Sequence, residues 1–452
     1  MIAVTLSQLA KVLNAELIGQ DCEIALVSTD TRNIESGALF VALVGERFDA
    51  HDFAHQAVEA GASALLVSRA LELNIPQLLV EESKLALGQL GAYIHQQCAT
   101  PTVAITGSCG KTTVKEMVAS IMSQQGQVLF TAGNFNNDIG VPLTLLRSTL
   151  SDDYAVIELG ANHIGEIAYT SELVKPDVAL VNNVAAAHLE GFGSIDGVKQ
   201  AKGEIYQGLK SAGVAIVNLE SHGGECWQAA LADKQVKTFS TQNSSADYYA
   251  DNISVNEAGE AHFTLHTPMG SQNIQLGIIG RHNVANALAA TALALELGAD
   301  LTMIASGLVH LSKVKGRVEV VELADNLKLI DDSYNASVPA MKAAAELLAG
   351  FSGTRWLILG NMAELGDQSL ELHRQVGEHA APFNFEQVLT YGADTKVISE
   401  VCQGKHFASH DSMIEFIVQQ LPHHSGPHTL LVKGANSAGM SKIATALKEI
   451  YS

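Results

Sequence analysis

Residues 102–113 read Thr102-Val103-Ala104-Ile105-Thr106-Gly107-Ser108-Cys109-Gly110-Lys111-Thr112-Thr113. The β-branched run predicts a strand, the glycines a loop, and the residues after them a helix. Glycines let such a loop turn its N–H groups toward an anion, Lys111 has the reach for β- and γ-phosphates, and the Thr112 hydroxyl suits Mg²⁺. The usual phosphate-loop pattern G-x-x-x-x-G-K-[ST] asks for glycine at 105, where this chain has Ile105. The competing reading is a glycine turn with a chance lysine; the strand before and the helix after favour the phosphate loop. Cys109 reads as a filler of a small-residue slot.

Outward from this loop, the apolar runs 154–157, 178–181 and 214–217 alternate with helical spans, as βαβ units and a parallel sheet require. Between 247 and 279 the pattern turns to polar–apolar alternation with turn signals, an antiparallel excursion, and 284–297 is Ala- and Leu-rich and helical. Upstream, short strands at 38–43 and 64–67 mix with helical patterns in a small α/β unit, followed by a helix at 84–97. Ser7 before Leu9, Val12 and Leu13 reads as a capped amphipathic helix. Downstream of the basic, glycine-bearing stretch 313–317, strands at 328–331, 356–359, 387–389 and 429–432 predict a second doubly wound unit. The fold class is therefore α/β in three domains: a small N-terminal α/β domain (1–83), a central P-loop-type, mostly parallel sheet with the antiparallel excursion (84–314), and a C-terminal Rossmann-like domain (315–452).

Composition agrees. At 452 residues with 47% hydrophobic and 17% charged residues, the chain is long and apolar enough for several packed cores. Its 27 basic against 48 acidic residues give a net charge of −21, which argues against a nucleic-acid backbone or an anionic membrane as main partner. The 5 cysteines are scattered without a C-x-x-C pair, so neither a disulfide framework nor structural zinc is expected. The N-terminus lacks a basic, apolar leader and no run is long enough for a membrane span, which predicts a soluble cytoplasmic protein without membrane insertion.

Other segments carry candidate chemistry at expected strand ends, where ligands of open α/β sheets gather. Glu158 closes the run Tyr154-Ala155-Val156-Ile157-Glu158 and suits Mg²⁺; alone it would equally be an exposed strand-end acid. His188 follows the strand 179–181 within Asn182-Asn183-Val184-Ala185-Ala186-Ala187-His188. A lone histidine is usually structural, and only Lys111 and Glu158 lift it toward a metal role. Lys202 sits at helical spacing, where the bland reading is a solvated face. Gly133-Asn134-Phe135-Asn136-Asn137 alone would be an Asx turn, and Asn283, at a helix start, could simply cap.

Together, Thr106 to Thr113, Thr131-Ala132-Gly133-Asn134-Phe135-Asn136-Asn137, Glu158-Leu159-Gly160-Ala161-Asn162-His163, Ala187-His188-Leu189-Glu190-Gly191-Phe192-Gly193, Gly280-Arg281-His282-Asn283 and Asp331-Asp332-Ser333-Tyr334-Asn335-Ala336 resemble the Mur ligase family, the ATP-dependent amide-forming enzymes of peptidoglycan precursor synthesis. The resemblance spans nearly the whole chain. The family's TGxxGKT[TS] loop accounts for the missing first glycine. The match is to the branch that adds D-alanyl-D-alanine, which Ser28-Thr29-Asp30-Thr31-Arg32 and the stretch 45–53 also resemble.

The resemblance implies roles. Gly107, Ser108, Cys109, Gly110, Lys111, Thr112 and Thr113 would cradle ATP; Thr112 and Glu158 would hold one Mg²⁺ and His188 a second. Lys202 matches a position that carries a carbamate in related ligases, an anionic metal ligand. Asn283 and Asn286 would contact adenine, Arg317 and Asp332 would close over ribose and phosphates, and Asn134 and Asn137 would line the reacting centre. Arg32 and Arg47 are candidates for the UDP end of UDP-N-acetylmuramoyl-tripeptide, the partner substrate of D-alanyl-D-alanine, and a monomer is expected. Ligases of the same fold that add a diamino acid or a glutamate, and a nucleotide-hydrolysing P-loop switch, are the alternatives.

Overall fold

The computed structural model describes residues 1–311, 315–423 and 425–451. The expected division at 314/315 falls on residues 312–314, outside the described ones.

Near the N-terminus, Thr5 rather than Ser7 caps the helix Leu6–Val12. Thr5 Oγ1 accepts from the Gln8 N–H at 3.2 Å while Gln8 Oε1 accepts from the Thr5 N–H at 2.9 Å, a reciprocal capping box that Ser7 cannot make from two positions later. A five-stranded sheet follows in the order Glu16–Ile18, Gln77–Leu79, Ala64–Val67, Leu39–Val41, Val27–Ser28, parallel except for the first pair. The helix Ser83–Cys98 buries Leu87, Leu90 and Ile94 in the core of this sheet, together with Leu146 from farther along the chain.

The central sheet has nine strands among the described residues. Its order is Gly270–Ile279, Glu260–Thr267, Tyr248–Val255, Gln235–Ser240, Val214–Asn218, Val178–Val181, Thr102–Thr106, Tyr154–Glu158, Val128–Phe130. The last six of these strands are parallel, whereas the three strands between 248 and 279 pair antiparallel, as their alternation predicts. Within Glu260–Thr267, Ala261, Phe263 and Leu265 point inward at successive odd positions. The chain leaves Thr102–Thr106 toward one edge, returns through Tyr154–Glu158 beside it, and continues on the other side with Val178–Val181. Thr102–Thr106 is thus the topological switch point, and loops from both neighbours meet at its carboxyl end. Register reinforces this, pairing Glu158 with Ile105 and Val181 with Thr106.

The helix Lys111–Met122 buries Val114, Met117, Val118, Ile121 and Met122 on one face, against Ala- and Leu-rich Asn283–Glu296. The C-terminal sheet runs Glu319–Ala324, Leu327–Asp332, His428–Lys433, Thr354–Gly360, Gln387–Tyr391, Lys405–Phe407, parallel after an antiparallel first pair. All five cysteines are free thiols.

One buried polar joint couples the first two sheets and sets a pH prediction. His95, 4% exposed, contacts Ser148 Oγ through Nδ1 at 2.8 Å and Thr102 Oγ1 through Nε2 at 3.0 Å. Thr102 spends its own proton on the Thr100 carbonyl at 2.7 Å, so its oxygen accepts from Nε2–H and the ring is the neutral Nε2–H tautomer. Burial, aided by Lys210, pushes this histidine down to about 4 from an ordinary 6.5. Unfolding therefore takes up a proton below pH 6.5, and stability held above that pH falls by about 3 kcal/mol as pH drops toward 4. Urea midpoints across this window should fall in the wild type and flatten in His95→Gln; parallel slopes would reject the assignment.

Candidate active site

Gly107, at a φ of +150°, opens the loop, and a Cβ there would come 3.1 Å from the Asn183 nitrogen. Two asparagines past the neighbouring strand hold the loop: Asn183 Oδ1 accepts from the Cys109 N–H at 2.8 Å, and Asn182 Nδ2 donates to the Cys109 carbonyl at 2.9 Å. Ser108 Oγ donates to the Ala185 carbonyl at 3.2 Å and accepts from its N–H at 2.9 Å. Cys109 Sγ lies 2.9 Å from Ser337 Oγ of the C-terminal segment. The helix Lys111–Met122 starts directly from this loop, with Gly110 as N-cap at a φ of +77° and no side chain capping its first N–H groups. The arrangement is a backbone cradle with a positive helix end behind it.

Lys111 folds back so that Nζ donates to the Gly107 carbonyl at 2.9 Å, and burial holds its ammonium below the ordinary lysine range. Thr112 Oγ1 donates to Glu158 Oε2 at 3.0 Å; Glu158 Oε1 accepts from Asn136 Nδ2 at 2.8 Å. Glu158 is 1% exposed, so this carboxylate is a strand-end acid turned inward. Thr131 Oγ1 accepts from the Glu158 N–H at 2.9 Å, and the Thr131 carbonyl accepts from buried Lys115 Nζ at 2.7 Å.

His188, in the left-handed region at a φ of +54°, pairs its Nδ1 with the Glu364 carboxylate and meets the Phe192 ring edge-on at 6.3 Å. Burial holds the imidazole below its ordinary value against the opposing pull of Glu364, with Lys111 and Lys202 nearby. Lys202 is not on a solvated face. It is 1% exposed, its Nζ lies 5.1 Å from the Phe192 ring centre, and burial, then the charge of Lys111, brings it down to about 7.

A cavity of about 560 Å³ runs from Ser108 and Gly110 to Asn283 and Asn286 and is also lined by Arg317 and Asp332. Asn283 does not cap its helix. His282 takes that position, and the buried Asn283 side chain donates to the Ile279 carbonyl at 2.8 Å and accepts from Asn286 Nδ2 at 2.8 Å. Asn286 Oδ1 in turn accepts from Asn182 Nδ2 at 2.9 Å. Arg317 stacks 4.3 Å over the Tyr334 ring and reaches Thr112 Oγ1 at 3.4 Å. Asp332 pairs with buried Lys433 at 2.6 Å.

Other expected residues lie apart. Asn137 Oδ1 accepts from the Gly140 N–H at 2.8 Å, and exposed Asn134 offers its carbonyl to the Asn136 N–H at 2.7 Å. Asn136 is the amide of this stretch that reaches Glu158. Arg32, its side chain 85% exposed, pairs with Asp30 at 2.7 Å, and Arg47 is exposed; neither lines the cavity. Sequence reasoning passed over Asn136, Asn182, Asn183, Lys115, Lys433 and Glu364. The amide-rich stretch and the two asparagines after a strand were visible signals; the two buried lysines and Glu364 had none.

Among the described residues no cluster of three or more His, Cys, Asp or Glu could hold a metal alone. A hydroxyl and a carboxylate below a phosphate cradle still fit Mg²⁺, which usually completes its shell with substrate phosphates and water.

Comparison with known proteins decides the family. Family models for the Mur ligase catalytic, middle and glutamate ligase domains match residues 23–108, 105–294 and 316–436. The chain belongs to the Mur ligase family. This Mur ligase is 52% identical to the UDP-N-acetylmuramoyl-tripeptide–D-alanyl-D-alanine ligase of Escherichia coli (strain K12), over 99% of both chains. It superposes on a crystal structure of MurF from Acinetobacter baumannii with a TM-score of 0.94 at 38% identity, covering 99% of each. The MurF ligase of Thermotoga maritima in complex with ADP matches with a TM-score of 0.83 at 25% identity, covering 94% of this chain and 97% of that one.

The cradle sets a prediction for Gly110. A Cβ there would lie 2.4 Å from Asn286 Oδ1 and 2.6 Å from Asn182 Nδ2, prying apart the hydrogen bond that joins them. Gly110→Ala should cost about 1–2 kcal/mol of stability from the left-handed backbone and raise KM for ATP by about tenfold or more. An unchanged KM would show that the amide bridge plays no part in nucleotide binding.

Proposed function

We infer that this Mur ligase joins D-alanyl-D-alanine to the terminal carboxylate of UDP-N-acetylmuramoyl-tripeptide at the expense of ATP, releasing ADP and phosphate and supplying the pentapeptide precursor of peptidoglycan. The 52% identity over 99% of the chain carries the reading; the intact phosphate cradle supports it. No described helix is long and apolar enough to cross a membrane. A monomer working in the cytoplasm fits these substrates.

The chemistry requires activation, because a carboxylate does not react with an amine at neutral pH. The tripeptide carboxylate takes the γ-phosphoryl group from ATP to become an acyl phosphate. The acceptor nitrogen, once it has given up a proton to become the free amine, attacks its carbonyl carbon, the C–O bond to phosphate breaks, and the nitrogen releases a second proton to leave the amide. The loop from Gly107 to Thr113 cradles the phosphates through the N–H groups of Gly110 to Thr113, those of Ser108 and Cys109 being bound to Asn183, and Lys111 turns from the Gly107 carbonyl to neutralise charge as it moves. Thr112 and Glu158 would hold Mg²⁺, with His188 and Lys202 at a second ion; bound Mg²⁺ supplies charge neutralisation during phosphoryl transfer. A lysine near 7 is half neutral at physiological pH, and the neutral amine is the form that takes up CO₂ as an anionic carbamate. Asn283 and Asn286 face adenine, Arg317 and Asp332 the ribose and phosphates, and of the amide stretch 134–137 it is Asn136, bound to Glu158, that stands at the reacting centre. Arg32 and Arg47 serve the UDP end within residues 1–83. Residues 84–314 bind ATP. Residues 315–452 close over them and exclude water, which would hydrolyse the acyl phosphate.

The test is phosphate release by purified protein. Release should need ATP, UDP-N-acetylmuramoyl-tripeptide and D-alanyl-D-alanine together; turnover with a single amino acid in place of the dipeptide would refute the substrate, and release without any acceptor would favour a nucleotide switch.

A further inference from the structure

Glu364 lies in the loop after the strand Thr354–Gly360, and this loop meets the turn Leu189–Phe192 of the central domain. Its carboxylate pairs with His188 Nδ1, and its carbonyl accepts from the Glu190 N–H at 3.1 Å. Both His188 and Glu364 hold left-handed backbone, at φ of +54° and +59°. Such conformations are costly for residues with a Cβ and persist where the surroundings enforce them.

Here the enforcement is visible. Asn361 Oδ1 accepts from the N–H groups of Asp394 and Thr395 at 3.2 and 3.3 Å, and its carbonyl accepts from Ala435 N–H at 2.9 Å. The Met362 N–H donates to the buried His373 ring at 3.0 Å, and Met362 and Leu365 are themselves buried. The loop is braced while the Glu364 side chain stays 42% exposed.

The acceptor amine reaches the enzyme as an ammonium and must approach a centre already lined by Lys111, His188 and Lys202. Nearby carboxylates are engaged: Glu158 with Thr112 and Asn136, Glu166 with His163 and the Asn162 N–H, and buried Glu204 with the N–H groups of Gly165 and Ala168. Glu364 faces the same cluster from the C-terminal domain and is open to solvent.

We propose that Glu364 is the acceptor-binding residue, its carboxylate exchanging His188 for the ammonium of the incoming dipeptide and holding that nitrogen beside the acyl carbonyl. The inference rests on the ligase reading above. A charge-assisted contact of this kind sets acceptor affinity and discriminates against acceptors without a cationic amine.

Hydroxylamine separates this role from loop bracing, because it traps acyl phosphates as hydroxamates and is uncharged at neutral pH. With ATP and tripeptide present, Glu364→Gln should raise KM for D-alanyl-D-alanine by about 10- to 100-fold and raise the ratio of hydroxamate formation to dipeptide ligation to match. Glu364→Asp should recover part of the loss. Glu364→Asn, whose side chain tolerates left-handed backbone, should behave as the glutamine variant does. An unchanged dipeptide KM, or hydroxamate and dipeptide products falling in proportion, would overturn the assignment. A wild-type chain that fails to ligate the dipeptide would sink the ligase reading itself, whereas wild-type ligation with an unchanged ratio in Glu364→Gln removes only the role of Glu364.

Discussion

Lys111→Ala is expected to cut ATP-dependent ligation by about 10³-fold or more, the scale lost when a preorganised charge is removed from a transferring phosphoryl group. The effect belongs to the reaction and not to the fold. Among the described residues Lys111 Nζ makes one hydrogen bond, to the Gly107 carbonyl, and burial already holds its ammonium below the ordinary range. Removing the side chain relieves that desolvation as it removes the bond, so the thermal midpoint should move by no more than a few degrees. Steady-state phosphate release and a thermal melt on one preparation decide the matter; wild-type-like turnover would reject the role of Lys111.

Lys202 should separate stability from activity even more sharply. It is 1% exposed and lies against the Phe192 ring; no hydrogen bond or ion pair of its Nζ is found among the described residues. A buried ammonium without an anionic partner is costly. Because the folded value near 7 lies below the ordinary 10.5, unfolding takes up a proton between these pH values, and the lysine's contribution improves as pH rises through that window. Lys202→Met should therefore raise stability near pH 7 by more than about 1 kcal/mol while lowering turnover by about 10²-fold or more. Lys202→Ala should lose activity to a similar extent, and formate or acetate should restore part of it by placing a carboxylate where the carbamate would lie. Full activity in the alanine variant would reject a metal-ligand role; an unchanged melt in the methionine variant would reject the burden of the buried amine.

How much was legible follows from how each feature is encoded. Ala64–Val67 and Val178–Val181 coincide with apolar runs of the same bounds because both strands are buried on both faces, which leaves a continuous apolar signature. The alternation in Glu260–Thr267 is equally plain, since one face packs and the other does not. Val128–Phe130 and Gln235–Ser240 escaped notice: the first is a three-residue edge strand, and the second is polar along most of its length, buried only at Phe239 and Ser240. Pairing partners make these segments strands, and partners are not written locally. The cap at Thr5 shows the same limit at short range, because a choice between neighbouring hydroxyls depends on backbone geometry at single-residue resolution.

Within the site, local and distant information divide in the same way. The strand, glycine loop, Lys111 and Thr112 are contiguous, so their chemistry follows from chain order alone, as does the presence of α/β units around them. That Glu158 turns inward to Thr112, that Asn136 and not Asn134 or Asn137 reaches it, and that Lys202 is buried were decided by packing. So were long links between domains, Glu364 to His188 across 176 positions and Arg317 to Thr112 across 205. Periodicity specifies which face of an element is buried. Which charges meet over such separations depends on how the sheets dock, and that geometry exists only once long loops have closed and the cores have packed.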